Sequence, residues 1–308
     1  MIRASIPGGP AWLFVAGLAL FGGCARLPDT GITPLKAKNL TELQSYLTNH
    51  KADLEQLRLR GPFAVARHDN LEINLVTGEH VYADLFLAGH AEKAPLVIIL
   101  HGYDSSKETH AFQAMHLASW GMHSLTVQLP NTGPWIANGR TLAKIVNLIY
   151  RRPEIIDSRI DVNKIILAGH SFGGAAVAVA LAEGAPAAGG ILLDPAVIGN
   201  DFPKILPRIK APVLMLGADP YVALARNRDY FYRYIRSGIA EISIKDATHE
   251  DAQYPAETAM ATEELQLTFV SALTSAAFSL STAGNFDYTW ASFDNGAARA
   301  RFFNAKKK

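Results

Sequence analysis

The sequence predicts an α/β fold: a mostly parallel central sheet flanked by helices, with antiparallel strands at its N-terminal edge. Three observations carry this. Short apolar runs such as Leu96-Val97-Ile98-Ile99-Leu100 and Ile165-Ile166-Leu167 lack polar alternation, the pattern of strands buried on both faces. Stretches of helical character separate them, so strand and helix follow each other in regular order. Glycine-containing breaks follow the strands, and an open α/β sheet places its reactive loops at those carboxyl ends.

The chain has 308 residues, enough for one large domain or two small ones, and 49% of them are hydrophobic, ample for a sizeable core. Net charge is +1, and no basic cluster stands out beyond Lys306-Lys307-Lys308, so nucleic acid is not an expected partner. No repeat or low-complexity tract interrupts the chain.

Residues 1–23 read as a signal peptide rather than part of the fold. Arg3 supplies a basic start, and the apolar run 11–21 is short for a bilayer span. It ends in Phe21-Gly22-Gly23-Cys24, which resembles a bacterial lipobox. The resemblance implies a diacylglycerol on Cys24 and a protein anchored to the membrane of the cell envelope. Ala25 is not the aspartate associated with inner-membrane retention, so the outer membrane is favoured. A periplasmic or secreted protein is the alternative. Cys24 is the single cysteine, so no internal disulfide can form.

Residues 24–38, with Pro28, Gly31 and Pro34, read as a linker, 39–285 as the catalytic domain and 286–308 as a C-terminal tail. Leu40, Leu43, Leu47, Leu54 and Leu57 predict a helix over 39–57, closed by Gly61-Pro62. Three antiparallel strands follow at 63–66, 71–76 and 80–87, with turns at His68-Asp69-Asn70 and Thr77-Gly78-Glu79. Leu96–Leu100 is the first fully buried strand. Helices are expected at 109–120, 139–150, 175–181 and 223–235, and strands at 124–129, 165–167, 190–193, 213–216 and 239–244. A helix over 256–279 closes the sheet. The aromatic residues beyond Gly284 leave packing on the domain and a mobile basic tail equally open.

The stretch Gly169-His170-Ser171-Phe172-Gly173-Gly174 sits between a buried strand and the small-residue run Ala175–Leu181. A bare Gly-x-Ser-x-Gly arises by chance in about one chain in ten of this length. A strand before it and a helix after it make it a nucleophile elbow, with Ser171 as nucleophile. Glycines flank the serine because the sharp turn leaves no room for a Cβ. His249, just past the last parallel strand, is the one histidine after Ser171 and is the expected base. His249-Glu250 begins like a zinc-binding helix signature, but no second histidine follows at the needed spacing. Two acids compete to orient the imidazole: Asp194, ending the strand Ile191-Leu192-Leu193, and Asp219, after Met215-Leu216-Gly217.

His101-Gly102-Tyr103 directly follows the first buried strand, where an α/β-hydrolase places half of its oxyanion hole. The expected donors are the amides of Tyr103 and Phe172, and His101 is read as shaping the loop. Gly169-His170-Ser171-Phe172-Gly173-Gly174-Ala175, Leu193-Asp194 and Thr248-His249 together resemble the platelet-activating factor acetylhydrolase and chlorophyllase branch of the α/β-hydrolases. That branch takes its acid from the earlier strand, which favours Asp194 over Asp219. The resemblance spans residues 96–249. In most α/β-hydrolases the acid follows the later strand, three or four residues past a glycine, where this chain has Pro220 and Tyr221. Bacterial polyester hydrolases of the cutinase type share the glycine-tyrosine loop and gain if Asp219 is the acid.

The expected function is therefore a serine carboxylic-ester hydrolase that forms an acyl-enzyme and needs no cofactor. The alternatives are a thioesterase, amidase or acyltransferase on the same triad, or a catalytically silent, surface-tethered binding protein. Residues 130–135 and Tyr221-Val222 are candidate pocket walls, and the short connections after the elbow leave no large helical cap.

Overall fold

The computed structural model describes residues 32–49, 53–130, 133, 135–222, 228–256, 258–294 and 296–308. The expected signal peptide, Cys24 and the first part of the expected linker lie outside them. The described residues all fall in one compact unit, Ile32–Lys308.

Helices α1 (Leu40–Asn49) and α2 (Leu54–Arg58) precede the hairpin of β1 (Val65–Asn74) and β2 (His80–Ala88). The alternating part then runs β3 (Ala94–Leu100), α3 (Ala111–Ser119), β4 (His123–Val127), α4 (Trp135–Arg151), β5 (Ile160–His170) and α5 (Phe172–Ala182). It continues with β6 (Gly189–Leu193), α6 (Phe202–Ile205), β7 (Val213–Gly217), α7 (Arg228–Tyr234) and β8 (Ile239–Ile244). Helices α8 (Glu263–Ala283), α9 (Asp287–Phe293) and α10 (Gly296–Arg299) and strand β9 (Phe302–Lys307) complete it. The strands form one nine-stranded sheet in the order β1-β2-β4-β3-β5-β6-β7-β8-β9. The six from β4 to β8 are parallel, and β1, β2 and β9 are antiparallel at the edges.

The continuous apolar runs are explained by a core on each face. Along β3, Leu96, Ile98 and Leu100 pack with Leu142 and Val146 of α4 and Val177 of α5. Val97 and Ile99 pack with Leu117 of α3 and with Phe269 and Leu273 of α8. Each such side chain, fully withdrawn from water, contributes about 1.5–3 kcal/mol. Helix α8 is long and apolar enough to cross a membrane, yet 89% of its apolar window is buried inside the domain, so here it is a core helix.

Several boundaries differ from expectation for identifiable reasons. The stretch 39–57 is two helices, because the Asp53 carboxylate caps α2 by accepting from the Glu55 amide (3.0 Å). No turn separates strands at His68-Asp69-Asn70. β1 passes through with a register shift between His68 and Leu71, Asn70 at φ 53° and its amide held by Asp84 (2.9 Å). The closing helix starts at Glu263, not 256, where Thr262 caps it. Residues 286–308 are not a free tail. Phe286 and Phe293 are buried in the core, and β9 pairs with β8 from Ala240↔Lys307 to Ile244↔Phe302, covering an edge that would otherwise be open.

The core also encloses ionisable groups. His116 donates from Nε2 to the Leu57 carbonyl (2.8 Å), and His123 Nδ1 accepts from the Ala88 amide (3.1 Å). Burial pushes both, and His110, down to about 4. In the unfolded chain each titrates near 6.5, so between these values the unfolded state binds more protons. Stability is therefore present above pH 6.5 and lost as pH falls toward 4, by about 3 kcal/mol for each such histidine. We expect the Tm to stay level above pH 7 and to fall steadily from pH 6.5 to 4.5. A Tm unchanged across that window would refute this account.

Candidate active site

Strand β5 delivers Ser171 and helix α5 leaves from it. Ser171 has φ 54° and ψ −122°, a conformation that costs a non-glycine residue about 1–3 kcal/mol. The neighbours impose it. Its amide donates to the Leu193 carbonyl (3.1 Å), and its carbonyl accepts from Ala196 (3.1 Å) and Ala175 (3.2 Å). Strand and helix approach so closely that a Cβ on Gly169 would lie 2.4 Å from the Gly173 carbonyl oxygen. One on Gly173 would lie 2.4 Å from that of His101. Both obstacles are backbone, so the turn admits only glycine at these two places.

Asp194 follows β6 and is fully buried. Its Oδ2 accepts from His249 Nδ1 (2.6 Å) and its Oδ1 from the Ala218 amide (2.9 Å). A carboxylate only accepts here, so the Nδ1 of His249 carries the proton and Nε2 keeps its lone pair. Burial opposes the charged imidazole, but the hydrogen bond and negative charge of Asp194 outweigh it and hold His249 above its ordinary value. Asp219 is engaged elsewhere. Its oxygens accept from the amides of Tyr221 (2.9 Å) and Asp246 (2.9 Å), which makes it a loop clasp.

The turn that carries His249 is fixed by residues that sequence reasoning did not single out. Asp251, fully buried, accepts from the amide and hydroxyl of Thr248 (2.7 and 2.8 Å) and from the Thr262 amide (2.7 Å). Thr248-x-x-Asp251 is a capping box, a signal visible in the sequence. His170 donates from Nε2 to the His249 carbonyl (3.0 Å), its ring 4.4 Å from the His249 ring. Burial, with the nearby histidines, keeps His170 well below its usual value, so it adds no charge beside His249.

Gly102 brings the loop after β3 against Ser171: a Cβ there would lie 3.0 Å from that of Ser171. His101 holds the loop, donating from Nδ1 to the Gly102 carbonyl (2.8 Å) and accepting at Nε2 from the Leu129 amide (3.1 Å). The Tyr103 ring is exposed and meets the Phe172 ring edge-on at 5.9 Å. The Phe172 amide is the first of α5, the end of a helix that favours negative charge. Of the expected pocket walls, Trp135 instead starts α4, buried and stacked on Phe202 (4.2 Å). Tyr221 and Val222 are exposed, and residues 131, 132 and 134 lie outside the described residues. A groove of about 800 Å³ lined by Tyr150, Asn163, Glu183 and Arg208 lies at the amino ends of the strands, away from Ser171. Among the described residues no group of three or more His, Cys, Asp or Glu side chains is placed to hold a metal ion.

The crowding predicts that Gly173→Ala destabilises the domain by about 3 kcal/mol or more, on the order of 10 °C in Tm. Gly78→Ala has positive φ but open space, and should cost about 1–2 kcal/mol. Equal losses in thermal melts of the two variants would contradict the crowding argument.

No curated protein matches the chain. A family model does, over residues 97–300, from within β3 to beyond α9, so the match takes in the elbow, Asp194 and the His249 turn. About two-thirds of the chain lies under it, on a sheet whose parallel core and antiparallel edge fit the same description: this protein belongs to the alpha/beta hydrolase family.

Proposed function

We propose that the protein is a serine hydrolase of carboxylic esters, with Ser171 as nucleophile, His249 as base and Asp194 as the orienting acid. The observation that carries this is the 2.6 Å bond from His249 Nδ1 to buried Asp194, beside a serine held at φ 54°. His249 Nε2 takes the hydroxyl proton as Ser171 Oγ attacks the ester carbonyl carbon. The carbonyl oxygen becomes an oxyanion held by the Tyr103 and Phe172 amides, a pair of preorganised donors able to supply several kcal/mol. The intermediate collapses, the alcohol leaves with the proton from Nε2, and an acyl-Ser171 remains. Water then attacks with the same imidazole as base, returning free Ser171 and the acid.

An acid after β6 favours the acetylhydrolase and chlorophyllase branch over the polyester hydrolases. Exposed Tyr103, Ile198, Tyr221 and Val222 lie in the loops that follow β3, β6 and β7, and apolar side chains at these strand ends suit an acyl chain or a bulky apolar ester. The N-terminal reading adds a lipid tether at Cys24 to the envelope membrane.

On p-nitrophenyl esters from acetyl to palmitoyl, Ser171→Ala and Asp194→Asn should each lose about 10³- to 10⁴-fold in kcat, while Asp219→Asn keeps activity. Because His249 is held above its ordinary value, the acid limb of kcat/KM should lie above pH 6.5 and move down in Asp194→Asn. Loss of activity in Asp219→Asn alone would transfer the acid role to Asp219. A wild type that hydrolyses amide or thioester analogues but no ester would overturn the ester assignment. Radiolabelled palmitate should enter the wild type expressed in a bacterium and not Cys24→Ser. Equal labelling, or none, would remove the tether.

A further inference from the structure

Behind Asp194 lies a buried cation that the triad chemistry does not use. Arg228 opens α7 and is 5% exposed. Its guanidinium lies on the bare backbone at the end of β7: a Cβ on Gly217 would fall 1.0 Å from Nη1 and 2.2 Å from Cζ. The side chain thus occupies the space that any residue but glycine would fill at 217. Crossing there, Nη1 comes to 3.4 Å from Asp194 Oδ1, the oxygen turned away from His249. Nε lies 3.9 Å from Glu241 Oε1 on β8, and Glu241 Oε2 in turn lies 2.9 Å from Lys306 Nζ on β9. Outward from His249 the charges alternate: Asp194, Arg228, Glu241, Lys306.

We infer that Arg228 is a positioning residue for the Asp194–His249 pair, admitted through the gap at Gly217 and held from behind by Glu241. The inference rests on the proposed triad. A carboxylate fixed only by the Ala218 amide and the imidazole can turn about its Cβ–Cγ bond. Among the described residues Nη1 makes no hydrogen bond, but its positive charge 3.4 Å from Oδ1 opposes that rotation electrostatically and favours Oδ2 on Nδ1. Burying three charged groups is expensive, and apolar side chains of similar volume are often equally stable, so stability alone is a weak reason for the arrangement.

A role through Asp194 differs from a packing role in its electrostatic signature. His249 faces Asp194 from β6, His170 from β5, Glu250 beside it and, behind Asp194, Arg228 from α7. Asp194 and Glu250 favour its charged form, whereas Arg228 opposes it. Removing the guanidinium therefore both loosens the carboxylate and eases protonation of His249. Loss of packing alone lowers Tm and does neither.

The test uses the full chain with three changes: Arg228→Met combined with Glu241→Gln, which removes the buried carboxylate facing Arg228 together with the cation; Arg228→Lys, which keeps a cation without the guanidinium; and Gly217→Ala, which displaces the guanidinium without removing it. Each is checked for folding by near-ultraviolet circular dichroism. His249 is titrated by NMR, and kcat and KM are measured on p-nitrophenyl acetate. In the double variant we expect kcat to fall roughly 10- to 100-fold with KM within about twofold. We expect the His249 midpoint there to rise by about half a unit or more. Gly217→Ala should give the same split and Arg228→Lys a smaller one, and Arg228→Lys decides if the other two fail to fold. Folded variants with the wild-type midpoint and kcat would overturn the inference. If the wild type turns over no ester, the ester reading fails, and the NMR midpoints alone decide the role of Arg228.

Discussion

The structure depends on how closely one helix can approach the strand that feeds it. Gly169 and Gly173 let the start of α5 sit against the ends of β5 and β3, with backbone oxygens where side chains would be. That approach holds Ser171 at its positive φ and places the first amide of the helix directly after it. The cost of the strained residue is small beside the surrounding core, in which α5 is buried on every face but its first residue. Strain concentrated in one residue and over-determined by its neighbours is how a fold holds a reactive group out of its relaxed geometry.

The two strand-end aspartates show a different constraint. Asp194 and Asp219 both end strands, both are almost wholly buried, and both accept two or more hydrogen bonds. What separates them is what lies opposite. Asp219 meets the backbone of its own and the following loop, while Asp194 meets an imidazole. Because β5 and β6 are neighbours in the sheet, Asp194 after β6 stands one strand from Ser171, and the His249 turn reaches across to it.

Much of this was legible in the sequence, because buried parallel strands are written as uninterrupted apolar runs and the elbow as two glycines around a serine. What escaped depends on partners distant in the chain. Nothing near His68 says that β1 continues through a bulge, since the group that holds Asn70 is Asp84 on the next strand. Polar residues in 286–308 hide a strand whose pairing is backbone to backbone and whose charges meet Glu241 and Asp287. The choice between the two aspartates rested on resemblance, because strand adjacency is not a local property. The gap at Gly217 is invisible until Arg228, eleven positions on, is seen to fill it.

The hydrogen bonds between the ends of β5 and β6 have a mechanical consequence. Ser171 donates to Leu193 and accepts from Ala196, so Ser171 and Asp194 ride on one ladder and their separation is set by interstrand spacing. His249 stands apart on a short turn pinned by Asp251 and His170. The alignment of the three groups therefore rests on two separate supports, the β5–β6 ladder and the capped turn from Thr248 to Ala252.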